Sequence, residues 1–295
     1  MKTQFIVNPS SGGGKGEKIL PLLREKSKDL GLSAEFALSS NSQEALDIAF
    51  DAQGRGCELV VACGGDGTIH SLLPGLVNRP VNLGVVPIGT ANDLARNWKI
   101  PFTLNRALKV LAKGQPKAVD VIQTQGGGYI AGAAGIGFDS AVVELAERLR
   151  QGYKGLVPFS IAFLSEFFRY SPSSVSLRTG DWHYQGPAWQ ILLTKIPRYA
   201  YIFKITSSVK SDNGLMGICL IPDPPKLRVL RALPKLPFLG LRKLPGAIFR
   251  TASHLEVESS PPASIHGDGD LMGQTPAIFR VLPSALRVMV PPIRA

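Results

Sequence analysis

A chain of 295 residues that is 44% hydrophobic has room for two domains, each with its own core, and is not a disordered polypeptide. Its 33 lysines and arginines against 22 acids leave a formal charge of +11, which suits an anionic partner (nucleic acid, acidic membrane surface or polyphosphate) without choosing among them. The three cysteines, Cys57, Cys63 and Cys219, follow no zinc-ligand spacing and are expected as reduced structural thiols.

The start, Met1 to Pro9, holds one basic residue and too short an apolar run for a secretory signal. Gln4–Val7 reads as a strand, and Gly16–Leu30 places Ile19, Leu20, Leu23 and Leu30 near one helix face. Ala34–Leu38 is a second short strand, and Ser40-Asn41-Ser42-Gln43 offers a capping-box start for a helix running to Gly54. Glu58–Cys63 and Val81–Val86 are almost wholly apolar, as parallel strands covered on both faces should be. Thr68–Val77 and Leu104–Lys113 read as helices, the latter stopped by Gly114 and Pro116. This alternation predicts an α/β fold with an open parallel sheet wrapped by helices over residues 1–118. Ligands of such sheets bind at the carboxyl ends of the strands.

From residue 119 to 295 the pattern is that of a mainly antiparallel β domain. Strands are expected at Val119–Gln123, Tyr129–Ala133, Ser174–Thr179, Ala188–Leu193, Met216–Leu220, Leu255–Glu258 and Ala285–Val290. Asp139–Arg150 and Phe159–Tyr170 interrupt them as helices. The most apolar segment, Gly155 to Phe168, carries Glu166 and is too short to span a bilayer. A cytoplasmic protein with only peripheral membrane contact is therefore expected. Pro222 to Arg250 carries seven basic residues (Lys226, Arg228, Arg231, Lys235, Arg242, Lys243, Arg250) and one acid, Asp223. Leu227, Leu230, Leu236, Phe238, Leu239 and Leu241 lie among them. Such a stretch is either a solvated loop or a surface for anionic lipid headgroups, and its prolines argue against one continuous helix.

Three loops follow the strands of the first half. Gly64-Gly65-Asp66-Gly67-Thr68 separates a buried strand from a helix, where glycines let backbone N–H groups approach a polyphosphate and the helix N-terminus favours negative charge. Asp66 cannot face a phosphate directly; it would hold Mg²⁺ through water, orient a hydroxyl or backbone group, or simply cap the helix. Pro87 to Arg96 repeats the arrangement, with Gly89, a phosphate donor in Thr90, and N-cap chemistry in Asn92 and Asp93. Asn8-Pro9-Ser10-Ser11-Gly12-Gly13-Gly14-Lys15-Gly16 is not a Walker A loop, because Gly16 stands where Ser or Thr is required. Together the loops point to a nucleotide site.

These three loops resemble the diacylglycerol kinase catalytic-domain superfamily, in particular its bacterial lipid kinases of the diacylglycerol, phosphatidylglycerol and sphingosine-kinase-like type. The resemblance continues through Gly135-Ile136-Gly137-Phe138-Asp139, Asp212-Asn213-Gly214-Leu215 and Ile265-His266-Gly267-Asp268-Gly269-Asp270. It implies a nucleotide-binding α/β domain (1–118) joined to a β-sandwich lipid-substrate domain (119–295), and transfer of the γ-phosphate of ATP to a lipid hydroxyl with Mg²⁺. It also implies that Gly64, Gly65, Asp66, Gly67, Thr68 and Thr90 contact the ATP phosphates, with Gly89 and Asn92 in the same loop as Thr90. Asn8 and Ser39 would lie near the nucleotide. The family's base sits in an Asp-Gly-Glu motif; here Asp268-Gly269-Asp270 stands in its place, and the resemblance does not separate Asp268 from Asp270. If the last acid is the base, the lost methylene withdraws it by about 1.5 Å, a misplacement that can cost on the order of 100-fold in rate. Without the loops, Asp-Gly would read as a hairpin turn. The family also binds an auxiliary Mg²⁺ through an acid before a glycine; here that position is Asn213, in one turn with Leu215, and the amide removes a full charge. Asp212 next door is a compensating acid, and the turn reads equally as an ordinary hairpin.

Two other readings stay open. One is a lipid or nucleotide sensor whose catalysis has lapsed, suggested by Asn213 and Asp270. The other is NAD kinase, which shares the Gly-Gly-Asp-Gly-Thr loop but usually adds an Asn-Glu dipeptide that this sequence lacks. No stacking-platform spacing of aromatics supports nucleic-acid binding. The identity of the acceptor lipid, and whether the protein forms a homodimer, are not legible.

Overall fold

The computed structural model describes the chain apart from residues 154, 156, 200–202, 206–208, 236–239, 242, 243, 245 and 293–295. The chain divides into two compact units, Met1–Val121 with Pro283–Ala295, and Ile122–Leu282.

The first unit runs β1 (Lys2–Val7), α1 (Ser11–Asp29), β2 (Ser33–Leu38), α2 (Ser42–Gly54), β3 (Leu59–Gly64), α3 (Asp66–Leu76), β4 (Asn82–Pro87), α4 (Asp93–Asn97), α5 (Leu104–Lys113) and the first part of β5 (Gln115–Thr124). The strands are parallel in the order β2-β1-β3-β4. Residues 283–290 of the chain's last strand return here, with Arg287 and Val288 parallel to Asn82 and Leu83. One sheet face meets α1 and α5 in a core of Phe5, Val7, Leu59, Val61, Leu108 and Leu111. The α2 start is a capping box, one residue later than the Ser40–Gln43 pair. Asn41 Oδ1 accepts from Glu44 N (2.9 Å), and the Glu44 carboxylate accepts from Ser40 N (2.7 Å). In α1, Gly12, Gly13 and Gly14 all have positive φ, so regular helix starts only beyond them.

The second unit holds β6 (Tyr129–Ile130), β7 (Ala133–Gly137), α6 (Phe138–Leu149), α7 (Val157–Arg169), β8 (Ser173–Thr179), β9 (Trp182–Ala188) and β10 (Gln190–Thr194). There follow β11 (Arg198–Tyr199), β12 (Phe203–Lys204), β13 (Met216–Ile221), α8 (Lys226–Ala232), β14 (Ile248–Ala252), β15 (His254–Ser260), β16 (Ser264–Gly267), β17 (Asp270–Gln274) and the start of β18 (Ala277–Val290). An antiparallel sheet in the order β14-β13-β10-β7-β16-β17 faces the strands β18, β15, β8 and β9. Strand alternation divides two cores. Ile136, Ile191, Leu193, Ile218 and Leu220 point into the sandwich with Leu177, Leu255 and Phe279. Their neighbours Ala133, Leu192, Cys219 and Ile221 point the other way, onto Phe138, Ala146, Ala162 and Phe167 of α6 and α7. Both faces are thus covered, which is why these antiparallel strands carry unbroken apolar runs instead of alternating with polar residues.

The structure departs from the sequence-based expectations at the least apolar strands. β9 (Trp182–Ala188) carries Gly186 and Pro187 and alternates half-exposed with exposed residues. β16 and β17 are short and rich in glycine and polar groups, so no apolar pattern marks them. The expected strand at Tyr129–Ala133 is two strands, β6 and β7, parted by Ala131 and Gly132. Pro222 to Arg250 contributes one helix, α8, and a short 3₁₀ turn at Leu233–Lys235; Leu236, Phe238, Leu239, Arg242 and Lys243 lie outside the described residues.

All three cysteines are free and buried. Burial pushes the Cys63 thiol upward and the Cys219 thiol up to about 12. Both should therefore stay protonated and unalkylated by iodoacetamide at pH 8 in the native protein and react once urea unfolds it, as read by peptide mass spectrometry.

Candidate functional site

The parallel order β2-β1-β3-β4 sets Ser39, Asn8, Gly65 and Gly89 just past the carboxyl ends of the four strands, on one side of the first unit's sheet. The β3 and β4 loops are in backbone contact. Ile88 N and Gly89 N both donate to Gly64 O (2.9 and 3.3 Å), and a Cβ on Gly89 would fall 2.4 Å from Gly65 Cα. Gly64 is glycine because a Cβ there would strike the Thr68 side chain, and Gly12 because one would meet the Ile88 carbonyl.

Asp66 does not cap its own helix. Its Oδ2 accepts from Asp93 N (2.9 Å) and its Oδ1 from Leu94 N (3.0 Å), so it caps α4 from the neighbouring loop. Orienting a backbone group is among the roles open to it in the sequence, and these two contacts fill that one. Asn92 makes no side-chain cap, contrary to expectation. It sits at φ +51° and turns its amide back to donate to Gly89 O (2.6 Å). Asn8 bridges to the buried Thr68, its Nδ2 donating to Thr68 Oγ1 (3.4 Å) while its Oδ1 accepts from Ser10 N (3.0 Å) and from Ser10 Oγ (2.8 Å). Ser39 is buried and donates to Asn41 O (3.1 Å); Thr90 and Gly67 are exposed. The exposed side is therefore built of glycine backbone, the α3 N-terminus and the hydroxyls of Thr90 and Ser10, a surface that suits anionic groups such as phosphates. Among the described residues no group of three or more His, Cys, Asp or Glu side chains is arranged to hold a metal.

In the second unit, Asp268 and Gly269 form the β16–β17 turn with φ of +52° and +97°, a two-residue hairpin closed by the Gly267–Asp270 pair. The turn reading and a functional role are compatible. Asp268 Oδ2 accepts from Ala131 N (2.8 Å), and its Oδ1 accepts from Gly132 N (2.8 Å) and Ala133 N (3.0 Å). Its own N–H donates to Ala133 O (2.8 Å). Asp268 thus fastens the hairpin to the β6–β7 turn, and Asp270 stands at the start of β17.

Sequence reasoning did not foresee two pairs in this unit. Asp139, at the start of α6, lies 3.1 Å from Nε2 of the buried His266 on β16. Gly135 has no side chain because a Cβ would overlap the Asp139 carboxylate. The glycine pattern before the helix hinted at this, but nothing local names a partner 127 residues away. The other is Lys195, whose ammonium donates to Leu215 O (2.5 Å) and to Asn213 Oδ1 (3.3 Å). These are the two residues that the resemblance assigned to an auxiliary Mg²⁺. A lone lysine within the apolar run Ile191 to Pro197 was the available signal.

The comparisons agree with this architecture. Residues 2–124 match the diacylglycerol kinase catalytic domain, and residues 132–290 match the YegS C-terminal NAD kinase beta sandwich-like domain. The chain belongs to the diacylglycerol kinase catalytic-domain superfamily, in its bacterial lipid-kinase branch. A diacylglycerol kinase of Mycobacterium tuberculosis is 26% identical over 98% of this chain and 95% of its own. A diacylglycerol kinase of Staphylococcus epidermidis is 26% identical over 98% of this chain and 92% of its own. The crystal structure of a diacylglycerol kinase from Bacillus anthracis shares the fold, with a TM-score of 0.78 at 20% identity over 98% of this chain and 96% of that one. The family relationship implies phosphotransferase chemistry. No helix among the described residues is long and apolar enough to cross a membrane.

Two stability changes test this geometry. Gly89→Ala must part the two loops and should cost about 1–3 kcal/mol in urea unfolding. Asp268→Ala leaves three backbone N–H groups without their acceptor and should cost about 2–4 kcal/mol, given charge-assisted bonds of about 1.5–3 kcal/mol each, partly offset by water.

Proposed function

We propose that this chain transfers the γ-phosphate of ATP to the hydroxyl of a membrane lipid of diacylglycerol, phosphatidylglycerol or sphingoid type. The observation that carries the reading is the pair of glycine loops joined by Asp66, which lines the carboxyl ends of the strands with backbone and a helix N-terminus. Backbone N–H groups of Gly65 to Thr68, with the Thr90 hydroxyl, would hold the phosphates in a fixed array that needs no reorganisation during transfer. Asn8 and Ser39 would bound the same nucleotide site. Mg²⁺ entering with the nucleotide would neutralise phosphate charge.

The base assignment favours Asp270. Asp268 already accepts three backbone N–H bonds, so its carboxylate serves to fix the hairpin, while Asp270 is the acid that the fixed hairpin presents. It would take the proton of the lipid hydroxyl as oxygen attacks phosphorus.

The second unit also offers a surface for the bilayer that holds the acceptor. Val157, Ile161, Leu164 and Phe168 are exposed along one face of α7, at spacings of four, three and four residues. Leu164 and Phe168 are 60% and 66% exposed. Lys226 Nζ donates to Phe168 O (2.7 Å), so α8 with exposed Leu227 and Leu230 adjoins this ridge, flanked by Arg169, Arg228 and Arg231. Apolar residues entering the interface and cations meeting anionic headgroups, at about 1 kcal/mol each, form a peripheral anchor.

The test is transfer from labelled ATP to a lipid extract with identification of the labelled product. Asp270→Asn should lower transfer at least 100-fold, within the range of general-base contributions of about 10²–10⁴, at an unchanged melting temperature. Binding of ATP without any labelled lipid from diverse extracts would favour the lapsed sensor instead. In a separate measurement, Leu164→Glu with Phe168→Glu should weaken sedimentation with phosphatidylglycerol vesicles at all salt concentrations. Arg228→Glu with Arg231→Glu should weaken it mainly at low salt. Unchanged sedimentation of both would remove this surface from the proposal.

A further inference from the structure

We propose that Lys195 is a built-in cation that stands in for a divalent metal at the Asn213–Leu215 turn, so that the second unit's hairpin is organised without one. The inference rests on the contacts of Lys195 and is independent of which lipid, if any, is phosphorylated.

Lys195 is 1% exposed and ranks among the largest fully buried side chains of the chain. An ammonium group is costly to bury unless oxygens replace its water, and a lysine at such a depth signals a position that requires positive charge. For packing alone a methionine would serve. The oxygens it reaches include the Leu215 carbonyl at 2.5 Å and the Asn213 amide at 3.3 Å. A divalent ion takes carbonyl oxygens at about 2.0–2.6 Å, so a metal on Leu215 O would share that oxygen with the ammonium and face its charge at close range.

The amide of Asn213 points to the same conclusion in either orientation. Turned one way, its oxygen accepts from Lys195. Turned the other, its nitrogen donates to Leu215 O (3.2 Å) and Lys210 O (3.0 Å). In both cases protein N–H donors meet the Leu215 carbonyl. The charges agree: the turn from Lys210 to Leu215 contains one acid, Asp212, against Lys210, and Lys195 reaches in from β10's end. The neutral amide at 213 and the buried ammonium at 195 stand together at this turn. An acid and a metal would supply a similar local charge balance by other means.

The backbone of Lys195 is tied to the hairpin that carries Asp268 and Asp270. Lys195 N donates to Gly132 O (2.8 Å), and Gly132 N donates to Asp268 Oδ1. Thr194 and Ile196 on either side are held by the Thr194 hydroxyl, which donates to Ile196 O (2.6 Å). An unbroken series of bonds therefore runs from the Leu215 turn through Lys195 and the β6–β7 turn to the Asp268 hairpin. Lys195 is a positioning residue in this account.

The experiment is thermal unfolding of the nucleotide-free, full-length protein in EDTA and in rising Mn²⁺, with Mn²⁺ binding read by calorimetry. Wild type should melt at one temperature in both. Lys195→Met should melt several degrees lower, and Lys195→Met with Asn213→Asp should regain stability as Mn²⁺ rises, by mass action on a new site. Asn213→Asp alone, with the lysine kept, should melt at or above the wild-type temperature and ignore Mn²⁺; it carries the test if Lys195→Met does not fold. A saturable Mn²⁺ stabilisation of wild type that Asn213→Ala abolishes would overturn the proposal. So would a Mn²⁺-dependent gain in Asn213→Asp alone, a Lys195→Met protein as stable as wild type, or a double variant indifferent to Mn²⁺.

Discussion

The first unit depends on a carboxylate that bonds away from its own helix. Asp66 begins α3, yet its two oxygens accept the first N–H groups of α4, and this draws the β3 and β4 loops together until Gly65 and Gly89 touch backbone to backbone. Each such bond to a charged acceptor is worth about 1.5–3 kcal/mol, against about 1 kcal/mol for an ordinary side-chain cap. A five-residue helix such as α4 could not hold its own start, and Asn92 does not cap it. The bridge from the other loop does so, and the glycines let the loops close without a Cβ between them.

The second unit uses the same device. Asp268 spends its carboxylate on three backbone N–H groups of the β6–β7 turn, and so secures a hairpin that neither strand is long enough to define. Buried Lys195 and the Asp139–His266 pair extend the scheme, joining the strand ends around one sheet. Two acids that the motifs single out thus bond to backbone N–H groups of a neighbouring segment and hold it in place. Preorganisation of this kind lets a site stabilise a transition state without paying for rearrangement during the reaction.

The net charge of +11 finds an outlet on the surface of the second unit. There the basic groups of α8 adjoin an exposed apolar ridge on α7, whose opposite side contributes Ala162 and Phe167 to the core. A helix with one face in the core and apolar residues left on the other presents a contiguous apolar surface of the kind that marks an interaction site. Among the anionic partners that charge alone allows, a lipid surface, as proposed above, would also use those residues.

How much could be read in advance follows from the range of the forces involved. The sequence by itself determined the parallel strands of the first unit, because residues 59–64 and 83–87 are buried on both faces and carry no polar side chain. It also determined the glycine loops, where a missing side chain is a local requirement. It marked Asp66, Asp268, Asp270 and Asn213 as positions of interest without their partners. Only the tertiary structure decided that Asp66 caps α4, that Asp268 holds the turn at Ala131 to Ala133, and that the end of β18 pairs with β4. It alone decided that Lys195 lies on Leu215. Glycine content, apolar runs and helix periodicity act within a few residues and so are written in order along the chain. Hydrogen bonds between residues 137 and 164 apart depend on the path that folding gives the backbone, and no local pattern records it.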